Sequence, residues 1–172
     1  MPNFSTGANS PLGVPDFNPA IIDTTEKIAV GTIARGFDET QGWAEFIYMP
    51  GVASCAAGDL VVLDLTPGAE AVVRTLSGTH LNTGQQVGVA MAALVAGKYG
   101  WFQIAGVAVV NVLAAFAAAS KVFLTTTAGS VDDAAVAGCQ VLPARGVSAI
   151  GTPAAGQAYV MLNRSFVQGQ IT

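Results

Sequence analysis

The sequence predicts an all-β protein, a single barrel or sandwich with a jelly roll among the forms allowed, behind an extended N-terminal arm. Three observations predict it. Eleven short runs rich in β-branched or aromatic residues follow one another from Lys27 onward, turn signals separate most of them, and Pro2, Pro11, Pro15 and Pro19 crowd the start of the chain. A chain of 172 residues has room for one domain of ordinary size, which puts the arm at 1–26 and the body at 27–172.

The arm comes first. Proline blocks helix and central-strand pairing, so the segment should be extended, and its first 25 residues could reach about 80 Å. Through Ile22 it carries one charge, Asp16, while Phe4, Leu12, Val14, Phe17, Ile21 and Ile22 are spaced along it. A solvated tail has little use for such side chains. They either fold back on their own domain or, the reading preferred here, dock on a neighbouring subunit during assembly.

In the body the candidate strands are Lys27–Ile33, Trp43–Met49, Leu60–Leu65, Ala71–Leu76, Val87–Ala92, Tyr99–Ile104, Val107–Val112, Lys121–Thr125, Gln140–Leu142, Gly146–Ile150 and Ala158–Leu162. Turns are expected at Gly36–Gly42, Pro50-Gly51, Pro67-Gly68, Ser77-Gly78, Asn82-Thr83-Gly84 and Ala128-Gly129. The Ala-rich run Leu113–Ser120 reads as a short crossover helix. Tyr99–Ala119, with only Gln103 and Asn111 strongly polar, imitates a membrane helix, but Gly100 and Gly106 interrupt it and two buried strands with a turn fit better. A weak internal echo divides the body into two halves. Val87-Gly88-Val89-Ala90-Met91, Gly97 and Tyr99–Ile104 parallel Arg145-Gly146-Val147-Ser148-Ala149, Gly156 and Ala158–Leu162, with one residue of difference in spacing.

Composition bounds the function. Only 10% of residues are charged and 52% are hydrophobic, against roughly 25% charged in an ordinary soluble domain. A monomer of this mass exposes about 8,000 Å², so the charges are spread thinly and much of the surface should be covered by other protein. The basic residues Lys27, Arg35, Arg74, Lys98, Lys121, Arg145 and Arg164 are scattered and the net charge is −4, which disfavours direct nucleic-acid binding. The N-terminus lacks the basic start and apolar run of a signal peptide, so synthesis and retention in a cytoplasm are expected.

No catalytic constellation is visible. His80, the sole histidine, sits in a polar stretch and reads as a solvated loop residue, and no Gly-x-Ser-x-Gly elbow is present. Cys55 and Cys139 read as buried thiols, and one histidine with two distant cysteines falls short of a zinc site. Asp38-Glu39 and Asp132-Asp133 read as turn residues, and no phosphate loop or dinucleotide fingerprint occurs. The expectation is no enzyme and no cofactor. Trp43, Tyr48, Tyr99 and Trp101 are either core or interface aromatics, or a stacking platform for a carbohydrate-type ligand.

Two stretches resemble a known family. Gly31–Phe37 with Gly42–Ala53 and Gly58–Val62, and then Gln86–Ala90 with Gly97–Gly106, are similar to the glycine-linked strand layout of capsid decoration, or cement, proteins of tailed bacteriophages. The resemblance covers about residues 28–166. It implies a structural virion protein made in the bacterial host cytoplasm, placed on the capsid exterior, that stabilises the shell by bridging capsomers. Its partners would be the major capsid protein and copies of itself, in a trimer before a dimer, with neither membrane nor nucleic acid. The interface residues expected on this reading are Phe4, Leu12, Val14, Phe17, Ile21, Trp43, Tyr48 and Trp101. The alternative is a β-sandwich module for a carbohydrate-type ligand.

Overall fold

A computed structural model of the chain describes residues 18–170. The expected arm positions Phe4, Leu12, Val14 and Phe17 lie outside the described residues. The rest is nearly all β: a curled antiparallel sheet forming a half-barrel. The strands are β1 (Ile22–Asp23), β2 (Ile33–Asp38), β3 (Gly42–Pro50), β4 (Leu60–Asp64), β5 (Ala71–Arg74), β6 (Val87–Ala90), β7 (Tyr99–Asn111), β8 (Lys121–Leu124), β9 (Val131–Asp132), β10 (Gln140–Gly146) and β11 (Gln157–Val167), with a one-turn helix α1 (Ser77–His80) between β5 and β6.

Strand β7 organises the sheet. Along its first half β3 pairs on one edge, from Pro50↔Tyr99 to Glu45↔Ala105, while β1 and β6 pair on the other. Its second half pairs with β11, from Asn163↔Ala105 to Gln157↔Asn111. The order then continues β11-β10-β8-β9. The curl returns β9 to the end of β7 through a bridge between Val112 and Val131, where the Leu113 N–H donates to the Val131 carbonyl at 3.0 Å. Inside this curl lies the largest core, including Leu60, Val89, Val110, Phe116, Leu124, Val141, Val160 and Val167. A second core gathers Ile47, Met49, Val61, Leu63, Leu94, Phe102 and Ile104.

Several expected elements change. Tyr99–Ile104 and Val107–Val112 are one strand, because Gly106 at φ +95° bends the backbone without ending the pairing. Among the described residues no helix is long and apolar enough to cross a membrane. Leu113–Ser120 is a pair of turns. An isolated two-turn helix does not recover its nucleation cost, and here the backbone amides of Leu113, Ala117 and Ala119 donate to Val131, Asp133 and Gly146 instead, while Phe116 fills the main core.

The first body strand is displaced from 27–33 to 33–38. Asp38 Oδ1 accepts from the N–H groups of Thr40 (2.8 Å) and Gln41 (3.0 Å), which fixes the reversal at 39–41, so Gly36 lies inside β2 and outside the turn. Gly146–Ile150 is not a strand. β10 ends at Gly146, although the Val147 N–H still donates to Tyr159 O at 2.7 Å. The echoed segments fall on β6 with the start of β7, and on the end of β10 with β11. Each is an antiparallel pair.

Candidate functional site

The outer face of β2, β3, β7 and β11 carries exposed apolar residues, of which sequence reasoning had named Trp43 alone. Phe37 pairs with Trp43 across the β2–β3 hairpin, ring centroids 5.4 Å apart and tilted by 57°, and Trp43 is 67% exposed. On the neighbouring strands Val107 pairs with Met161 and Val109 with Tyr159. Met161 and, further along β11, Phe166 are also exposed.

Tyr48 and Trp101, expected at an interface, are buried at 0% and 2% exposure in the core of this chain. The two rings meet edge-on at 5.2 Å, with Phe46, Ala34 and Ala44 around them. Both faces of β3 are covered in its second half, so residues of either parity are inside. The Tyr48 hydroxyl donates to Asp23 Oδ2 at 2.7 Å and accepts, at 3.4 Å, from the Lys27 N–H. Burial, reinforced by the Asp23 carboxylate, pushes this phenol up to about 12. The effect is to pin the root of the arm to the body, beside the pairing of Ile22 with Gly100 and Asp23 with Tyr99. Ile21, just before, is 47% exposed.

His80 is another correction. It is 6% exposed, with Nδ1 accepting from the Leu76 N–H at 3.1 Å, because the single turn of α1 folds the ring back on its own backbone. Cys55 and Cys139 are free and buried, and burial pushes the Cys55 thiol up to about 11 and the Cys139 thiol upward. Among the described residues no three His, Cys, Asp or Glu side chains group as metal ligands would.

A row of charge runs beside the apolar surface. Glu45 accepts from Arg35 Nε at 2.7 Å and from Arg164 Nε at 2.8 Å, tying β2, β3 and β11. Burial raises the Glu45 carboxyl, but hydrogen bonds and charge from Arg164 and Arg35 outweigh it and hold the group below its ordinary value of 4.5. The unfolded chain therefore takes up this proton before the folded one does. The stabilisation is complete above about pH 4.5 and is lost as pH falls through the lower folded value. Glu45→Gln should cost on the order of 1 kcal/mol at neutral pH. Urea melts at neutral pH and at about pH 3 should show the gap between variant and parent closing in acid.

Between the β2–β3 turn and the outer face of β7 and β11 lies a groove of about 1090 Å³. Phe37, Thr40 and Gln41 form one wall, Pro153, Ala154 and Tyr159 the other, and Met91, Gln103 and Val109 also line it. Pro19 and Ala20, at the arm root, border it as well. Gln103 is 0% exposed. Its Nε2 donates to the carbonyls of Ala105 (3.2 Å) and Val107 (2.9 Å), which leaves Oε1 as the free end of the amide. Gln103 Oε1 and Gln41 Oε1 are both buried without a hydrogen-bond partner. In the sequence Gln103 stands out only as a polar residue in the apolar run Tyr99–Ala119 and Gln41 not at all, because their meeting depends on the hairpin approaching a bent strand.

A curled all-β domain with an exposed aromatic edge and a groove at its arm root is the class that fold and site define. No protein-family model matches the chain and no curated protein matches it.

Proposed function

We propose that this protein is a non-enzymatic structural component of a bacteriophage head, bound to the capsid exterior and stabilising it by bridging capsomers. The observation that carries the reading is the open aromatic pair Phe37–Trp43, together with exposed Met161, on a chain with only 10% charged residues. Exposed aromatic and sulfur-bearing side chains on a rigid sheet suit burial against another protein. The charge deficit fits a subunit that spends its working life covered. Each contact is weak, and repetition over a symmetric shell multiplies it. The resemblance of Gly31–Phe37, Gly42–Ala53, Gly58–Val62, Gln86–Ala90 and Gly97–Gly106 to decoration proteins points the same way. Self-association as a trimer belongs to this proposal.

The test is co-sedimentation with phage heads lacking the protein. Trp43→Asp puts a charge into the docking face while leaving both cores intact, and it should weaken head binding by about tenfold or more. Undiminished binding by that variant, or no affinity of the parent for heads, overturns the reading. Carbohydrate binding through Trp43, with heads ignored, would establish the alternative. The platform for it is reduced, since Tyr48 and Trp101 are buried and Phe37 is not coplanar with Trp43.

A further inference from the structure

We infer that the outer edge of β2 is a contact between two copies of this chain, which join antiparallel about a two-fold axis at Arg35 into one continuous sheet. The direction of the backbone groups carries it. The Tyr48 N–H donates to the Thr32 carbonyl at 2.9 Å, just before a ladder that runs unbroken from Ile33↔Ile47 to Asp38↔Gly42. Backbone groups alternate along an antiparallel strand, so those of Ala34 and Gly36 also face β3, while those of Ile33, Arg35 and Phe37 face away from it. Among the described residues no strand pairs with β2 on that side, and of the strands with a single partner β2 is the longest, at six residues. Folded proteins blunt such edges with proline, lysine or a bulge. β2 has none of these.

The side chains select a second copy as the occupant. Ile33, Arg35 and Phe37 are the exposed residues of β2, alternating with buried Ala34, Gly36 and Asp38. Centring the pair on Arg35 sets Ile33 of each copy against Phe37 of the other, and every outward N–H and carbonyl of the strand finds a partner. Sliding one copy by two residues would bring in Gly31, at φ +86°, or Glu39, in the turn, and neither is extended. In the centred register the aromatic pair of Trp43 with Phe37 continues into the second copy's Ile33, an apolar row that a peptide of arbitrary sequence would not complete. The two Arg35 side chains also meet. Their repulsion is offset because each guanidinium is already bonded to its own Glu45, Nε to Oε1 at 2.7 Å. This two-fold contact is separate from the three-fold association proposed above and does not rest on the shell-binding reading.

Cross-linking of the full chain tests the register. In a hydrogen-bonded antiparallel pair the Cα atoms lie about 5.5 Å apart, within the span of a disulfide. The native cysteines are buried, so Arg35→Cys should give a disulfide-linked dimer under mild oxidation. Ile33→Cys alone should not, because its own counterpart would lie about 14 Å away, whereas a mixture of Ile33→Cys and Phe37→Cys chains should cross-link. Arg35→Pro removes an N–H that β3 does not use, a change tolerated at a sheet edge. It should halve the mass found for the parent by sedimentation equilibrium, while Arg35→Ala, which keeps the N–H, leaves that mass unchanged. Failure of Arg35→Cys to cross-link, equal cross-linking by Ile33→Cys alone, or a mass untouched by Arg35→Pro would overturn the inference. None of these measurements uses phage heads, so its failure is distinguishable from failure of the shell-binding reading.

Discussion

Asp59→Ala should destabilise the protein by about 3–5 kcal/mol, the cost of breaking a buried ion pair from one side. Asp59 immediately precedes β4, and its carboxylate is 3% exposed. Oδ2 accepts from Arg74 Nε at 2.7 Å and from the Ala56 N–H at 2.9 Å, while Oδ1 accepts from Asn111 Nδ2 at 2.9 Å. Arg74 in turn donates through Nη2 to Ala128 O at 2.7 Å. Asp59 and Arg74 together thus join the start of β4, strand β5, the end of β7 and the turn before β9. Gly129 completes the packing, since a Cβ there would lie 2.5 Å from Asp59 Cγ.

Alanine at 59 leaves a guanidinium that is only 25% exposed facing an empty site, together with orphaned donors on Ala56 and Asn111. The loss should appear in urea melts and as a fall in Tm of roughly 6–20 °C. Most of it reflects the stranded partner. Arg74→Met should therefore cost much less in the Asp59→Ala background than in the parent, a coupling that a double-mutant cycle measures directly. Additive losses would show that Asp59 and Arg74 act separately.

That node was not legible in the sequence, and the reason is physical. Asp59, Arg74 and Asn111 belong to three different stretches of chain, and no local pattern records which strands become neighbours. By contrast β4, β6 and β8 were readable because Leu60–Leu63, Val87–Ala90 and Val122–Leu124 are unbroken apolar runs bounded by turn residues. The displaced first strand shows where such reading fails. Gly31, Gly36 and Gly42 look alike as breakers, yet Gly31 and Gly42 have positive φ while Gly36 sits within β2. The position of the turn was carried by Asp38, read in the sequence as a turn residue, whose carboxylate accepts from the Thr40 and Gln41 N–H groups.

The candidate surface was legible in part. Trp43 is exposed, but Tyr48 and Trp101 went inside because both faces of β3 and the first half of β7 are covered, and alternation loses its meaning on such strands. Strand-borne aromatics announce burial against something. Whether that something is the same chain or another is decided by layers that are distant in sequence.

Gly106→Ala is expected to cost about 2–5 kcal/mol, more than an exposed glycine of similar conformation. The backbone at Gly106 has φ +95°, where an L side chain is strained by about 1–2 kcal/mol. The added Cβ would also lie 2.5 Å from the Trp43 carbonyl oxygen and 3.0 Å from Ala44 Cα, a backbone collision that side-chain rotation cannot relieve, and overpacking adds about 1–3 kcal/mol. Gly156 is the control: its φ is +74° and nothing lies within 4 Å of the place a methyl would take, so Gly156→Ala carries strain alone. The difference between the two melts isolates the contact. Its location gives it weight, because at Gly106 strand β7 passes from pairing with β3 to pairing with β11. Forcing the strands apart there shifts Trp43 relative to Val107 and Met161, so the variant should lose the present geometry of the outer face as well as stability. Equal costs at 106 and 156 would mean that the close approach of β3 to the bend contributes nothing.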